Sequence, residues 1–203
     1  MKETKHSKAY HRYFEDYAEL QTLDENGRST TQRVYVGKYY RVKLADSALK
    51  RQKLLFALFY LISAAAYLWA AATVRISAAG PVAIFTAACL IALLWLAMPV
   101  FHRLTSPREM EVRAWRESAG SLRRVSLGAA VCLFVCAGAT LSAALVLPAY
   151  DWRETLPGVF LYLLSGGMSL GIALLEKGTA YEVLPPKNQR PEGASPIRRY
   201  APD

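Results

Sequence analysis

The sequence predicts an all-α integral membrane protein: a four-transmembrane-helix bundle with a small cytosolic β-hairpin segment at the N-terminus and a disordered C-terminal tail. The first observation behind this fold class is a set of four stretches without Asp, Glu, Lys or Arg. A run of about 18 or more apolar residues is long enough to cross the hydrocarbon core as a helix. A soluble bundle would place polar residues on the outer face of each helix, and these stretches have no charged face. They are Leu54–Val74 (21 residues), Ile76–Phe101 (26), Val125–Tyr150 (26) and Thr155–Leu175 (21).

The second observation is the distribution of the 25 Lys and Arg residues. Twelve precede the first stretch, six lie between the second and third, and five follow the fourth, whereas the other two connections hold only Arg75 and Arg153. Positive residues collect on the cytoplasmic side of membrane proteins. The pattern therefore predicts that both termini are cytoplasmic, in a plasma membrane of bacterial type. The net charge of +9 is explained by this topology, and nucleic acid is not predicted as a partner because no binding motif accompanies the charge.

Residues 1–46 form a polar, tyrosine-rich segment that we expect to be cytosolic. An Asn26-Gly27 turn signal precedes a strand-like stretch at 31–36, and we expect residues 39–44 to continue it in extended conformation. The segment before the turn, 17–23, alternates as a strand does, although a helical face remains an alternative. The sequence therefore predicts a small β-hairpin. About 45 residues are too few for a robust independent core.

Residues 47–178 form the predicted transmembrane domain, with spans at 54–74, 81–101, 125–149 and 156–175. Asp46 is the predicted N-cap of the first helix, and nothing from Ser47 to Val74 breaks a helix. The first helix should therefore start in the cytosol and run directly into the bilayer.

The cytosolic loop at 102–124 is predicted to be helical. The sequence Ser106-Pro107-Arg108-Glu109 is typical of a capping box with proline at the first helical position, so we expect a helix over 107–118. Residues 179–203 are the predicted tail. Five prolines in 185–202 and no periodicity indicate disorder.

The middle of each span lacks Asp, Glu, Lys, Arg and His. This absence argues against proton-coupled export, a membrane haem and an intramembrane serine or zinc protease. Such ionisable residues mark proton relays and ion pathways in membranes. All three histidines (His6, His11 and His102) lie outside the spans, and no HExxH motif occurs. We therefore predict no catalytic residue, no cofactor and no metal site. The cysteines Cys89, Cys132 and Cys136 lie within spans, where buried thiols usually behave as small apolar groups.

Two sets of residues are candidate contact sites. Gly167 and Gly171 have the spacing of small residues that pack helices closely, either within the bundle or across a homodimer seam. The second set combines basic and aromatic residues expected at the cytosolic face, where each basic residue gains about 1 kcal/mol from anionic lipid. It comprises Lys38, Tyr39, Tyr40, Arg41, Lys43, Arg123 and Arg124, and its expected partners are membrane lipids or a membrane or cytosolic protein.

Three function hypotheses remain open. The leading one is a non-enzymatic accessory or scaffold protein that engages a partner or anionic lipid through its cytosolic face. The second is a subunit of a small transporter or channel, homodimeric through span four, with a polar cavity lined by Ser63, Thr86, Thr140, Ser142, Ser165 and Ser169. The third is a lipid-modifying enzyme with chemistry at the inner interface, which would need an acid/base cluster drawn from His102, Glu109 and Glu111.

Overall fold

The computed structural model describes residues 16–23, 29–74, 80–147, 152–187 and 195–196. Four long helices dominate these residues, and two small sheets accompany them. In chain order the elements are β1 Tyr17–Leu23, β2 Ser29–Tyr35, β3 Tyr39–Val42, α1 Asp46–Thr73, α2 Gly80–Thr105, β4 Glu109–Glu111, α3 Val112–Val146, α4 Trp152–Lys177, β5 Tyr181–Leu184 and β6 Ser195–Pro196.

The four helices are long and apolar enough to cross a membrane, which confirms the prediction of four such elements. Helix α1 extends eight residues before the uncharged stretch, because the polar residues that precede it contain no helix breaker. The N-cap is Ala45 rather than the predicted Asp46, and it makes no side-chain capping bond. Asp46 instead lies in the first turn, where a negative charge is favourable beside the positive end of the helix dipole.

Helix α3 differs from the prediction for the loop. It begins with the short α-helical segment Val112–Trp115, continues through a π-helical turn at Arg116–Gly120 and proceeds without interruption as Ser121–Val146. The predicted helix over 107–118 is wrong at its start, where residues 109–111 form β4. Backbone pairing of β4 with β3 outweighs the local helix-start signal. The hydroxyl of Ser106 instead donates to the carbonyl of Arg103 (2.9 Å) at the end of α2.

The chain divides into two compact units. The helical unit comprises the described residues of 42–107 and 114–180. The β unit comprises the described residues of 1–41, 108–113 and 181–203.

The β unit contains a hairpin, as predicted. Strands β1 and β2 pair antiparallel in a register that runs from Tyr17 opposite Tyr35 to Leu23 opposite Ser29, and the predicted turn at 26–27 lies outside the described residues. The strand at 39–42 does not extend this hairpin, because it lies between β4 and β5 in a second sheet. The prediction of a disordered tail is wrong for β5 and for β6, which pairs with β1; residues 188–194 and 197–203 are not described.

The helical unit is organised around α3 and α4. Helix α4 packs against α3 and α1, and α3 packs against α2. The core between them combines aromatic, aliphatic and small side chains from all four helices. Its fully buried members include Phe56, Leu96, Leu122, Leu133, Cys136, Tyr162 and Ile172.

Candidate functional site

A buried ion pair joins α2 to α4. The Nε atom of Arg103 lies 3.2 Å from Oε2 of Glu176, and the two side chains are 0% and 3% exposed. The guanidinium carbon of Arg103 also lies 6.0 Å from the centroid of the Phe56 ring on α1. Removing two charges from water costs several kcal/mol for each ion unless they are well paired. These two residues therefore depend on each other for their burial.

Other polar contacts surround this pair at the same end of the helices. The ammonium of Lys53 donates to the carbonyls of Leu104 (2.9 Å) and Ser106 (2.6 Å). The last carbonyls of a helix have no partner within the helix, so Lys53 of α1 supplies a cap to the end of α2. The amide of Gln52 donates to the hydroxyl of Thr179 at 2.5 Å. We name these contacts the basal polar network: Gln52, Lys53, Arg103, Glu176 and Thr179.

The sequence contains only a weak signal for the basal polar network. Arg103 and Glu176 each lie within a few residues of the end of an uncharged stretch, and such charges normally reflect topology. Nothing in the sequence indicates which helix ends meet. The pairing of Arg103 with Glu176 therefore becomes evident only in the structure.

A second polar contact, the serine cluster, links the middle of α1 to the middle of α4. The hydroxyl of Ser63 lies 2.9 Å from that of Ser165 and 3.0 Å from that of Ser169. The Ser165 hydroxyl also donates to the carbonyl of Ser63 at 2.8 Å. All three side chains are 0% exposed. The hydroxyls thus serve as one another's partners, as buried polar groups must.

The remaining residues of the predicted transport cavity have local partners or face outward. The Thr140 hydroxyl donates to the carbonyl of Cys136 (2.8 Å), and the Thr86 hydroxyl donates to the carbonyl of Val82 (3.1 Å), each within its own helix. Ser142 is exposed. These contacts describe how the polar side chains are bonded, and the transport hypothesis stays a prediction.

The two glycines of the predicted packing motif have different surroundings. A Cβ atom on Gly171 would lie 2.8 Å from Cε2 of Phe59, so this glycine allows α1 to approach α4 closely. A Cβ atom on Gly167 would meet open space. Gly166, which the motif did not include, lies against Phe134 of α3. Close packing within the bundle thus involves Gly171 and Gly166, and the homodimer seam stays a prediction.

The predicted basic and aromatic contact residues belong to both units. Strand β3 carries Tyr39, Tyr40 and Arg41. Arg124 donates from Nε to the carbonyl of Gly120 at 3.1 Å. The residues of the set with exposed side chains are Lys38 in the β unit and Lys43, Arg123 and Arg124 in the helical unit.

Three tyrosines form an aromatic cluster in the β unit. The ring of Tyr35 makes edge-to-face contacts with Tyr17 and Tyr39, with centroids 5.2 and 5.1 Å apart. The Tyr17 hydroxyl donates to the Glu111 carboxylate at 2.7 Å. Burial, with this hydrogen bond to an anion, raises the pKa of Tyr17 to about 12. Burial also raises the pKa of Tyr35, whose hydroxyl donates to the carbonyl of Lys38 at 2.7 Å.

Glu109 lies close to two basic side chains in the same unit. Lys187 forms an ion pair with it, and Nε of Arg41 lies 3.7 Å from its Oε1. The hydrogen bond from Lys187 lowers the pKa of Glu109. The Lys187 ammonium also lies 5.2 Å from the centroid of the Tyr39 ring. Both Tyr39 and Arg41 of the predicted contact set therefore already have partners within the β unit.

The residues proposed for lipid chemistry do not share a compact unit. Glu109 and Glu111 belong to the β unit, where they contact Lys187 and Tyr17, and His102 is an exposed residue of the helical unit. Within the described part of the chain, no three His, Cys, Asp or Glu residues are grouped as a metal site. The three cysteines are free thiols, and Cys89 and Cys136 lie in the helical core.

No family model matches the chain, and no curated protein or solved structure is significantly similar to it.

Proposed function

We propose that the chain is a multi-pass membrane protein with an accessory, non-enzymatic role. Both termini would be cytoplasmic, and the exposed basic residues near the cytoplasmic ends of the helices would engage anionic lipid headgroups or a partner protein. The observation that supports this proposal is that the buried polar side chains bond to one another between helices. In the helical unit the basal polar network and the serine cluster hold helices together, and their groups are engaged in packing.

The exposed basic residues of the helical unit support the proposed attraction to anionic lipid. Five basic residues are exposed: Lys43 before α1, Lys50 and Arg51 in its first turns, and Arg123 and Arg124 on α3. Each basic residue near an anionic surface contributes about 1 kcal/mol to binding, so several together favour an anionic leaflet appreciably. This attraction weakens as salt is added, because exposed charges are screened beyond about 10 Å at 0.1 M ionic strength.

The topology is tested with reporters fused at two connections. A reporter that is active only outside the cytoplasm should be active when it is fused after Arg75. A reporter that is active only in the cytoplasm should be active when it is fused after Pro107. The reverse pattern, or a protein that alkaline carbonate extracts from membranes, would contradict the proposed location.

The accessory role is tested by purification in a mild detergent followed by native mass spectrometry. A stoichiometric second protein, or retained anionic lipid, is the expected result. Arg123→Gln together with Arg124→Gln should reduce the retained phosphatidylglycerol, and Arg153→Gln, which removes an exposed charge at the opposite end of the bundle, is the matched control. Equal effects of both variants, with no bound protein, would reject the proposal.

A further inference from the structure

A cavity of about 230 Å³ lies between α2 and α3 in the helical unit. On the α2 side it is lined by Trp95, Met98, Pro99 and His102, and on the α3 side by Glu117, Ser121 and Val125. Trp95 and Met98 are 68% and 60% exposed, so the cavity opens toward the outside of the bundle. Its volume is below that of pockets that enclose a whole drug-sized ligand, which suits a ligand that is only partly inserted.

The backbones on both sides of the cavity are irregular. Pro99 lies inside α2 and has no N–H, so it cannot donate the usual helical hydrogen bond to the carbonyl of Trp95. On the facing helix, Glu117 belongs to the π-helical turn Arg116–Gly120. Such π-helical turns occur frequently at functional sites. Two independent departures from regular α-helix therefore border the same space.

The lining changes in polarity along the helix direction. Trp95 and Val125 form one end, and His102 and Glu117 form the other, near the end of α2 and the beginning of α3. Seven residues separate Trp95 from His102, which corresponds to about 10 Å along a helix. An amphiphile with an apolar chain and a polar headgroup has the same order of polarity over the same distance.

The charge of the lining restricts the headgroup. Among the residues that the structure describes, Glu117 is the only acidic one that lines the cavity, and no Lys or Arg lines it. A carboxylate accepts hydrogen bonds and donates none when ionised, and it repels an anionic headgroup. A primary ammonium can donate to it in a charge-assisted hydrogen bond, whereas a quaternary choline ammonium has no N–H to donate.

We infer that this cavity binds one phospholipid with a primary-amine headgroup, such as phosphatidylethanolamine. Glu117 accepts hydrogen bonds from the ammonium, and Trp95, Met98 and Val125 contact the upper part of an acyl chain. The inference rests on the membrane location proposed above. It differs from the proposed attraction of anionic lipid, because it concerns a single site whose charged lining residue is acidic.

The test uses the full chain reconstituted in nanodiscs with equal amounts of phosphatidylethanolamine, phosphatidylcholine and phosphatidylglycerol. Lipids that remain bound after release into detergent are quantified by native mass spectrometry. We expect one retained phosphatidylethanolamine, and Glu117→Gln should lower its retention about tenfold, as the loss of a hydrogen bond to a charged group predicts. Glu182→Gln, at an exposed site in the β unit, should leave retention unchanged.

A second pair of variants tests the cavity itself. Val125→Trp fills the space and should abolish retention, whereas Val146→Trp adds the same bulk at an exposed position of α3 and should not. Equal retention of the three lipids by a correctly reconstituted wild-type protein would overturn the inference and leave the proposed membrane location intact. Failure to reconstitute at all would instead contradict that location.

Discussion

The ion pairs Arg103–Glu176 and Lys187–Glu109 have similar chemistry but very different surroundings. In the helical unit both side chains are almost fully buried, at 0% and 3% exposure. In the β unit the partners are 55% and 32% exposed. A buried charge that loses its partner is strongly destabilising, whereas an exposed pair is screened by water and salt and contributes little. The difference indicates that the pair in the helical unit contributes to the packing of α2 with α4, whereas the pair in the β unit contributes little to stability.

The largest expected effect is the loss of one partner of the buried pair. Glu176→Gln should lower the free energy of unfolding by about 3–5 kcal/mol, because the charge of Arg103 then lies buried without its carboxylate. Thermal or denaturant unfolding of the purified protein measures this change. The double variant Arg103→Met, Glu176→Leu should be clearly more stable than Glu176→Gln, since it removes both charges. A Glu176→Gln protein as stable as the wild type would show that the pair is not buried as described.

The next effect concerns close helix packing. Gly171→Leu should destabilise the protein by about 1–3 kcal/mol because the new side chain would overlap the ring of Phe59. Gly167→Leu is the matched control, and it should not destabilise the protein, since its site is open and the loss of a helical glycine favours the helix by up to about 1 kcal/mol. Unfolding and light scattering are measured together. A dimer lost only in Gly167→Leu would instead assign this residue to a homodimer seam.

A smaller effect is expected in the serine cluster. Ser63→Ala should lower the free energy of unfolding by about 1 kcal/mol, the scale of a side-chain hydrogen bond between membrane helices. Ser142→Ala, at an exposed position of α3, should have almost no effect. Equal losses for the two variants would indicate that the Ser63 contacts do not stabilise the bundle.

The smallest effect is expected for the exposed pair, and its dependence on pH has a defined sign. The pKa of Glu109 in the folded protein is lowered from its ordinary value of 4.5. The stabilisation that Glu109 provides is therefore fully present above pH 4.5, and it is lost as the pH falls through the lowered pKa of the folded protein. The stability difference between the wild type and Glu109→Gln, measured at low salt, should disappear on acidification. A difference that grows with acidification would contradict the pairing.

The four helices are predictable because uncharged stretches of more than 20 residues have few alternatives. The second sheet is not predictable in the same way. Its strands have three or four residues and come from distant parts of the chain: 39–42, 109–111 and 181–184. Such short strands carry little intrinsic preference, and long-range pairing decides their structure. The same pairing explains why the capping signal at 106–109 does not start a helix.

The candidate sites also combine features that the sequence predicts with contacts that it does not. The glycine spacing indicates that α4 is a packing helix, but it selects Gly167 and omits Gly166, because the pattern does not define which neighbour each face meets. The sequence indicates that the serines at 63, 165 and 169 are polar positions within spans, but their mutual contacts depend on the packing of α1 against α4. The cavity at His102 and Glu117 is lined in part by a π-helical turn, for which the sequence contains no recognised signal.

The basal polar network has a consequence for the order in which the protein is assembled. Lys53 finds its acceptors once residue 106 has been synthesised, whereas Arg103 precedes its partner Glu176 by 73 residues. At about 5–20 residues per second, this interval lasts roughly 4–15 s. The Lys53 contacts between α1 and α2 can therefore form before Arg103 meets the carboxylate of Glu176. The ion pair of Arg103 with Glu176 forms only after α4 has been synthesised, so it belongs to the last stage of bundle assembly.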